Sequence, residues 1–104
     1  MAIYGAGRAG LQTAIALSSG PEFRPVAFFD DSKELHGRTL VGIRVYSPEM
    51  ALDVMKDQRC RQLLIAMPSA TRARRKEIIQ RFEGKEIILK MLPGMGQLVD
   101  GTVS

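Results

Sequence analysis

Apolar residues fall along this chain in short unbroken blocks, separated by longer stretches with helical spacing. Met1 to Tyr4 opens as an apolar strand, Gly5-Ala6-Gly7 interrupts it, and Arg8 to Ser19 follow a helical period. Gly20-Pro21 ends that helix, since glycine suits a left-handed cap and proline cannot continue the spiral. Val26-Ala27-Phe28-Phe29 has no polar alternation, the mark of a strand buried on both faces of a parallel sheet, and it stops at Asp30-Asp31. A polar loop from Ser32 to Gly42 leads into a short β segment, Ile43 to Tyr46. Ser47-Pro48-Glu49 then starts a helix: a capping hydroxyl, a proline where its missing N–H costs nothing, and an acid at the positive end of the dipole. This helix is predicted to run to about Asp57 and to bury Leu52 and Met55. Leu63 to Met67 is the next core strand. Ser69 to Phe82 follows as a helix with Ser69 as N-cap and Ile78, Ile79 and Phe82 on its core face. Ile87 to Met91 is the last strand, and Pro93 to Ser104 carries too little pattern to assign an element.

Strands alternating with helices need crossover connections, which are right-handed in nearly every case and build a parallel sheet with helices on both faces. The fold class expected is therefore α/β, a Rossmann-like three-layer fold made of a single half-fold plus a short extension. A chain of 104 residues suits one domain spanning residues 1–104, and a full dinucleotide-binding fold needs two such halves, so a larger multidomain parent is expected.

The chemistry concentrates at the first strand-to-helix turn. Gly5-x-Gly7-x-x-Gly10 follows a strand and opens a helix, and an acid, Asp30, ends the next strand. Gly5 permits the tight turn, Gly7 lets the backbone approach a pyrophosphate, and Gly10 lets the helix pack closely on the strand. The helix N-terminus offers free N–H groups and a partial positive charge to phosphate. Asp30 suits an adenosine ribose and repels a 2′-phosphate, favouring NAD over NADP, though the adjacent Asp31 leaves open which carboxylate faces the ribose. Met67-Pro68-Ser69-Ala70-Thr71 lies at the same carboxyl edge of the sheet. The candidate cofactor-binding set is thus Gly5, Ala6, Gly7, Arg8 and Gly10 with Asp30, Asp31, Pro68 and Ser69, and the expected ligand is a dinucleotide or a nucleotide sugar. A vestigial site that serves structure alone is the alternative.

Charge changes the picture only locally. The net charge of +4 raises nucleic acid as a partner, but the two tyrosines and four phenylalanines mostly sit in or beside apolar strands instead of alternating with basic residues, so no nucleic-acid partner is expected. Arg72, Arg74, Arg75 and Lys76 crowd the first turns of a helix, where each cation opposes the dipole by about 0.3–1 kcal/mol when exposed; the run reads either as a solvated face or as a basic face for an anionic ligand or an acidic surface of the parent. Glu77 and Arg81 have the spacing of a helical ion pair. His36 is the single histidine and is expected to be solvent-exposed, so neither a metal site nor a serine triad can be assembled. Cys60, the single cysteine, reads as an inert thiol at a strand entry. Tyr4 and Tyr46 lack a lysine four residues on, so the tyrosine-lysine pair of short-chain dehydrogenases is absent and no catalytic residue is assigned. Apolar runs such as Leu63 to Met67 fall far short of the roughly 20 residues of a membrane helix, so direct membrane insertion is not expected and a cytoplasmic domain is.

Taken in order, several segments carry a family resemblance: Ile3-Tyr4-Gly5-Ala6-Gly7-x-Ala9-Gly10, Phe28-Phe29-Asp30-Asp31, His36-Gly37-Arg38 with Gly42-Ile43-x-Val45, Ala66-Met67-Pro68-Ser69-Ala70-x-x-Ala73-Arg74-Arg75, and Leu98-Val99-Asp100-Gly101-x-Val103-Ser104. On them the chain resembles the Rossmann-like domain that precedes the catalytic domain in membrane-anchored nucleotide-sugar 4,6-dehydratases and related epimerases of bacterial polysaccharide biosynthesis. The resemblance implies a parent anchored in the inner membrane by N-terminal helices, with this domain in the cytoplasm and a following short-chain-dehydrogenase-like domain acting on UDP-linked amino sugars through bound NAD. The catalytic residues then lie in that following domain, and this chain is non-catalytic in isolation. The equivalent domain of a membrane phosphoglycosyl transferase is the competing assignment, and NAD, a nucleotide sugar and coenzyme A all remain open as the occupant of the loop.

Overall fold

A computed structural model of the chain describes residues 1–92; the Pro93 to Ser104 tail, with the resemblance segment at Leu98 to Ser104, lies outside the described residues. In chain order the elements are β1 (Ala2–Tyr4), α1 (Arg8–Ser18), β2 (Ala27–Phe29), β3 (Thr39–Leu40), β4 (Ile43–Tyr46), α2 (Ala51–Asp57), β5 (Gln62–Ile65), α3 (Arg72–Phe82) and β6 (Ile88–Met91). They form one sheet in the order β3-β4-β2-β1-β5-β6, in which every pair is parallel except β3 with β4. The fold is Rossmann-like α/β. Strands β4, β2 and β1 make the expected half, and the extension beyond it consists of α3 with β5 and β6.

Burial follows the strand alternation. Ala2, Tyr4, Ala27, Phe29, Leu63 and Ile65 face one side, where Ala51, Val54 and Met55 of α2 and Ile78 and Phe82 of α3 close over them. Ile3, Phe28, Ile43 and Val45 face the other side, against Ala14 of α1, with Leu11, Leu17, Leu35 and Leu40 packed around. Complete burial of a residue such as Phe28 or Tyr4 is worth about 1.5–3 kcal/mol, so these short strands are held by their two-sided packing more than by their length.

Several local expectations are corrected. The polar loop after β2 contains a 3₁₀ turn, Lys33–Leu35, and then β3, which pairs antiparallel with β4 through a two-residue turn at Val41-Gly42. Gly20 does not adopt a left-handed conformation; Ser19 is the C-cap of α1 and is still in the right-handed region, and Gly20 N–H donates to the Leu17 carbonyl at 3.1 Å. Ser47 caps as expected, but the cap opens a 3₁₀ turn, Pro48–Met50, and α2 starts only after it. That offset turns Leu52 outward, while Met55 is buried with Val54. Helix α3 begins at Arg72, because Pro68 and Ser69 are taken up by a turn in which Ala70 N–H donates to the Met67 carbonyl at 3.0 Å. Thr71 is therefore the N-cap, its hydroxyl accepting from Arg74 N–H at 3.1 Å, and Ser69 is not.

Candidate functional site

Parallel pairing brings the ends of β1, β2 and β5 to the same edge, and the chain leaves β1 first toward β2 and later crosses to β5 on its other side. The loops after β1 and β5 thus diverge, which opens the crevice where ligands of such sheets bind. A cleft of about 480 Å³ occupies that place, lined by Gly5, Gly7, Arg8, Ala9, Gln12, Asp30 and the run Ala66 to Ala70. Of the candidate residues, Gly5, Gly7, Arg8, Asp30, Pro68 and Ser69 meet there. Ala6 and Gly10 lie just beneath, buried.

The glycines do different work. Gly5 has φ +112°, and a Cβ on it would lie 2.8 Å from the Ala66 carbonyl oxygen, so the turn and the approach of the β5 loop both require glycine. A Cβ on Gly10 would overlap the carbonyl oxygen of Gly5, which is why α1 can sit so close to the turn. Around Gly7 nothing lies within 4 Å, and its backbone is extended. Gly7 is the N-cap of α1 and offers no side chain to the first helical N–H groups, nor is there an acid in the first turn. The positive end of this helix is therefore not neutralised by its own sequence.

The two adjacent aspartates are separated by the fold. Asp30 is pinned on all sides: its carboxylate accepts from Ala6 N–H and Ser32 N–H, both at 2.8 Å, its carbonyl accepts from His36 Nε2–H at 2.6 Å, and its N–H donates to the Tyr46 carbonyl at 3.2 Å. His36 is consequently half-buried and engaged, not solvent-exposed as the sequence suggested. Asp31 points the other way, to the α3 side, where it accepts from Tyr4 Oη at 2.9 Å and from Arg74 Nη2. It does not line the cleft.

Of the four cations at the start of α3, Arg74 meets an anion within the chain, Asp31. Arg74 reaches it, donates to Tyr4 Oη at 3.4 Å, and pairs with Glu77 at 3.7 Å. Arg81 does not take Glu77; its Nη1 donates to Tyr4 Oη at 3.3 Å. Burial, the hydrogen bond to Asp31 and the charge of Asp31 together push the Tyr4 phenol from 10.0 up to about 12, against the pull of Arg81 and Arg74. Partial burial works against the Arg74 charge, and the hydrogen bond to Asp31 together with the charges of Asp31, Tyr4 and Glu77 more than offsets this, so its pKa rises.

Sequence reasoning missed Gln12 and Ala9 as lining residues. Gln12 was discoverable, being four residues after Arg8 and so on the same helical face. Neither a protein-family model nor a curated protein matches the chain. Among solved structures it is similar to the crystal structure of UDP-D-quinovosamine 4-dehydrogenase from Vibrio fischeri, with 38% identity and a TM-score of 0.88 over 99% of this chain and 84% of that one. The chain belongs to the family of that UDP-sugar dehydrogenase. It is also similar to RSP, a Rex-family repressor, at 17% identity and a TM-score of 0.69, and to RSP in complex with β-NAD⁺ and operator DNA at 19% and 0.64. The chain covers 56% and 52% of those two structures, a likeness of fold alone. Among the described residues no helix is long and apolar enough to cross a membrane, and no cluster of His, Cys, Asp and Glu is placed to hold a metal ion.

Proposed function

We propose that this chain is the accessory nucleotide-binding domain of a UDP-sugar dehydrogenase, dehydratase or epimerase of polysaccharide biosynthesis, binding an NAD-type dinucleotide and performing no chemistry by itself. The observation that carries the reading is the cleft at the sheet's switch point, which combines a helix N-terminus with no side-chain cap, an open approach over Gly7 and a pinned carboxylate at Asp30. The pyrophosphate lies over Gly5 to Arg8 and the adenosine ribose at Asp30. Both Asp30 oxygens already accept one backbone N–H, and each keeps a lone pair for a ribose hydroxyl. Pro68 and Ser69 form the wall on the other side of the nucleotide.

The non-catalytic role rests on the tyrosines. Tyr4 holds its proton more firmly than an ordinary phenol and is committed to Asp31, the opposite of what a proton-transfer group needs. Neither it nor Tyr46 has a lysine four residues on. Oxidation at the sugar therefore belongs to a catalytic domain elsewhere in a longer parent chain, with residues 1–104 as one excised domain and, following the family resemblance, membrane helices preceding it. The relationship to a UDP-sugar 4-dehydrogenase favours this parent over a phosphoglycosyl transferase.

Titration of the isolated domain with NAD, NADP, coenzyme A and UDP-N-acetylglucosamine, followed by amide NMR, tests the reading. NAD is expected to bind weakly and to shift the amides of Gly5 to Gly10. Gly7→Val is expected to abolish that binding with the rest of the spectrum unchanged, because a Cβ at this position meets nothing within 4 Å in the fold and the side chain stands where the phosphates approach. No shifts with any of the four ligands, or shifts indifferent to Gly7→Val, would leave a purely structural module.

A further inference from the structure

We propose that Arg74 is a positioning residue for the nucleotide cleft, which it never touches: by holding Asp31 on the α3 side of the sheet it fixes the turn after β2 so that Asp30 faces the ligand. The role assigned to Asp30 rests on the nucleotide reading above; the orientation itself does not.

Asp30 and Asp31 are adjacent carboxylates at the end of one strand, and alternate residues of an extended chain point to opposite sides. In β2, Phe28 packs on the α1 side of the sheet and Phe29 on the α3 side, so the alternation carries Asp30 and Asp31 onto those two sides in turn. What holds them there beyond the end of the strand comes from afar. Tyr4, at the end of β1, and Arg74, in the first turn of α3, both donate to Asp31, from 27 and 43 residues away along the chain. Arg74 also donates to Tyr4 Oη, closing a triangle of three side chains from β1, α3 and the turn after β2. With Asp31 so held, Asp30 is left to accept from Ala6 and Ser32 and so to reach the glycine loop.

The same contact joins the two walls of the cleft. Thr71 caps α3 through Arg74 N–H, and the residues just before Thr71 are Met67 to Ala70, which line the cleft opposite Asp30. Arg74 therefore ties the β5 side of the crevice to the β2 side across β1. A guanidinium suits the task because Nη2 serves Asp31 and Tyr4 together while Nη1 stays beside Glu77, whereas a lysine brings a single nitrogen to all three.

The test measures amide hydrogen exchange and NAD titration in the wild-type chain and in Arg74→Gln, Arg74→Lys and Asp31→Asn. Ala6 N–H and Ser32 N–H report the position of Asp30 with no ligand present; Ala66 N–H, bonded to the Tyr4 carbonyl at 2.8 Å in the β1–β5 ladder, reports the integrity of the sheet. Arg74→Gln and Asp31→Asn are expected to speed exchange at Ala6 and Ser32 roughly three- to tenfold with Ala66 unchanged, and to weaken NAD by a similar factor. Arg74→Lys should recover part of both effects. Exchange at Ala6 and Ser32 that is unmoved, or that rises together with Ala66, overturns the positioning role. If the wild-type chain binds no nucleotide while these two amides still respond selectively, the orientation of Asp30 by Arg74 stands and the nucleotide reading falls; if Arg74→Gln leaves both the two amides and NAD binding as in the wild type, the reverse holds.

Discussion

A methyl group on Gly10 would overlap the Gly5 carbonyl oxygen, whereas one on Gly7 would meet nothing within 4 Å. The two glycines sit three residues apart in one motif, yet packing demands only the second. Gly10→Ala is expected to cost about 3 kcal/mol or more, because neither the turn nor α1 can retreat without breaking the contacts of Ala14 and Ile3 in the core. Gly7→Ala should change stability by less than about 1 kcal/mol, since its φ of −80° suits any residue. Denaturant midpoints of the two variants check both numbers, and equal losses would show that the loop tightens as a unit. Asp30 and Asp31 make a similar contrast of neighbours, one pinned at the cleft and the other committed to Arg74 and Tyr4.

At the scale of elements, the β3–β4 hairpin takes the place where a helix would otherwise connect β2 to its parallel neighbour. Its turn residues have φ +46° at Val41 and +80° at Gly42, the two positive values that a two-residue hairpin turn of the primed type requires. Glycine adopts this readily, but a β-branched valine does not. Val41→Asn is therefore expected to stabilise the chain by about 0.5–1 kcal/mol, read as a raised urea midpoint, while Val41→Thr should bring no gain. The same valine hid the hairpin from the sequence, since an Asn-Gly pair would have announced it. Helix α3 shows a comparable masking: both Ser69 and Thr71 are capping residues by type, and only the turn at Pro68-Ser69 decides that Thr71 caps.

Across the whole molecule, Tyr4 is the point where β1, the turn after β2 and α3 meet. Its ring is fully buried and packs edge-on against Phe82, with centroids 6.4 Å apart, while its hydroxyl joins Asp31, Arg74 and Arg81. Because the folded phenol titrates near 12 instead of 10.0, the native state binds this proton more tightly than the unfolded chain does. The resulting stabilisation is complete below pH 10 and is lost as the pH rises toward 12. Tyr4→Phe should be less stable at neutral pH by about 1–3 kcal/mol, having lost hydrogen bonds to charged partners, and should show a shallower decline over that alkaline window. Denaturation followed at a series of pH values separates the two effects. A decline of equal slope in both proteins would place the alkaline sensitivity elsewhere.

The sequence by itself determined the features that depend on neighbours along the chain. The apolar blocks Ala2 to Tyr4, Ala27 to Phe29 and Leu63 to Ile65 are strands because uniform burial leaves them no polar face. The Gly5-x-Gly7-x-x-Gly10 turn is legible because steric need is local, and the alternation of strand and helix implies the parallel sheet because crossovers have one hand. Tertiary structure alone decided which distant groups engage Asp31, which anion answers Arg74, and whether His36 is free or engaged. Each of those outcomes turns on a partner that pattern along the chain does not single out: Arg74 lies 43 residues from Asp31, and even the nearby Asp30 carbonyl becomes a partner for His36 only once the turn after β2 has been closed. The backbone period specifies where a side chain sits on its own element. Which charge it meets there depends on how the elements pack.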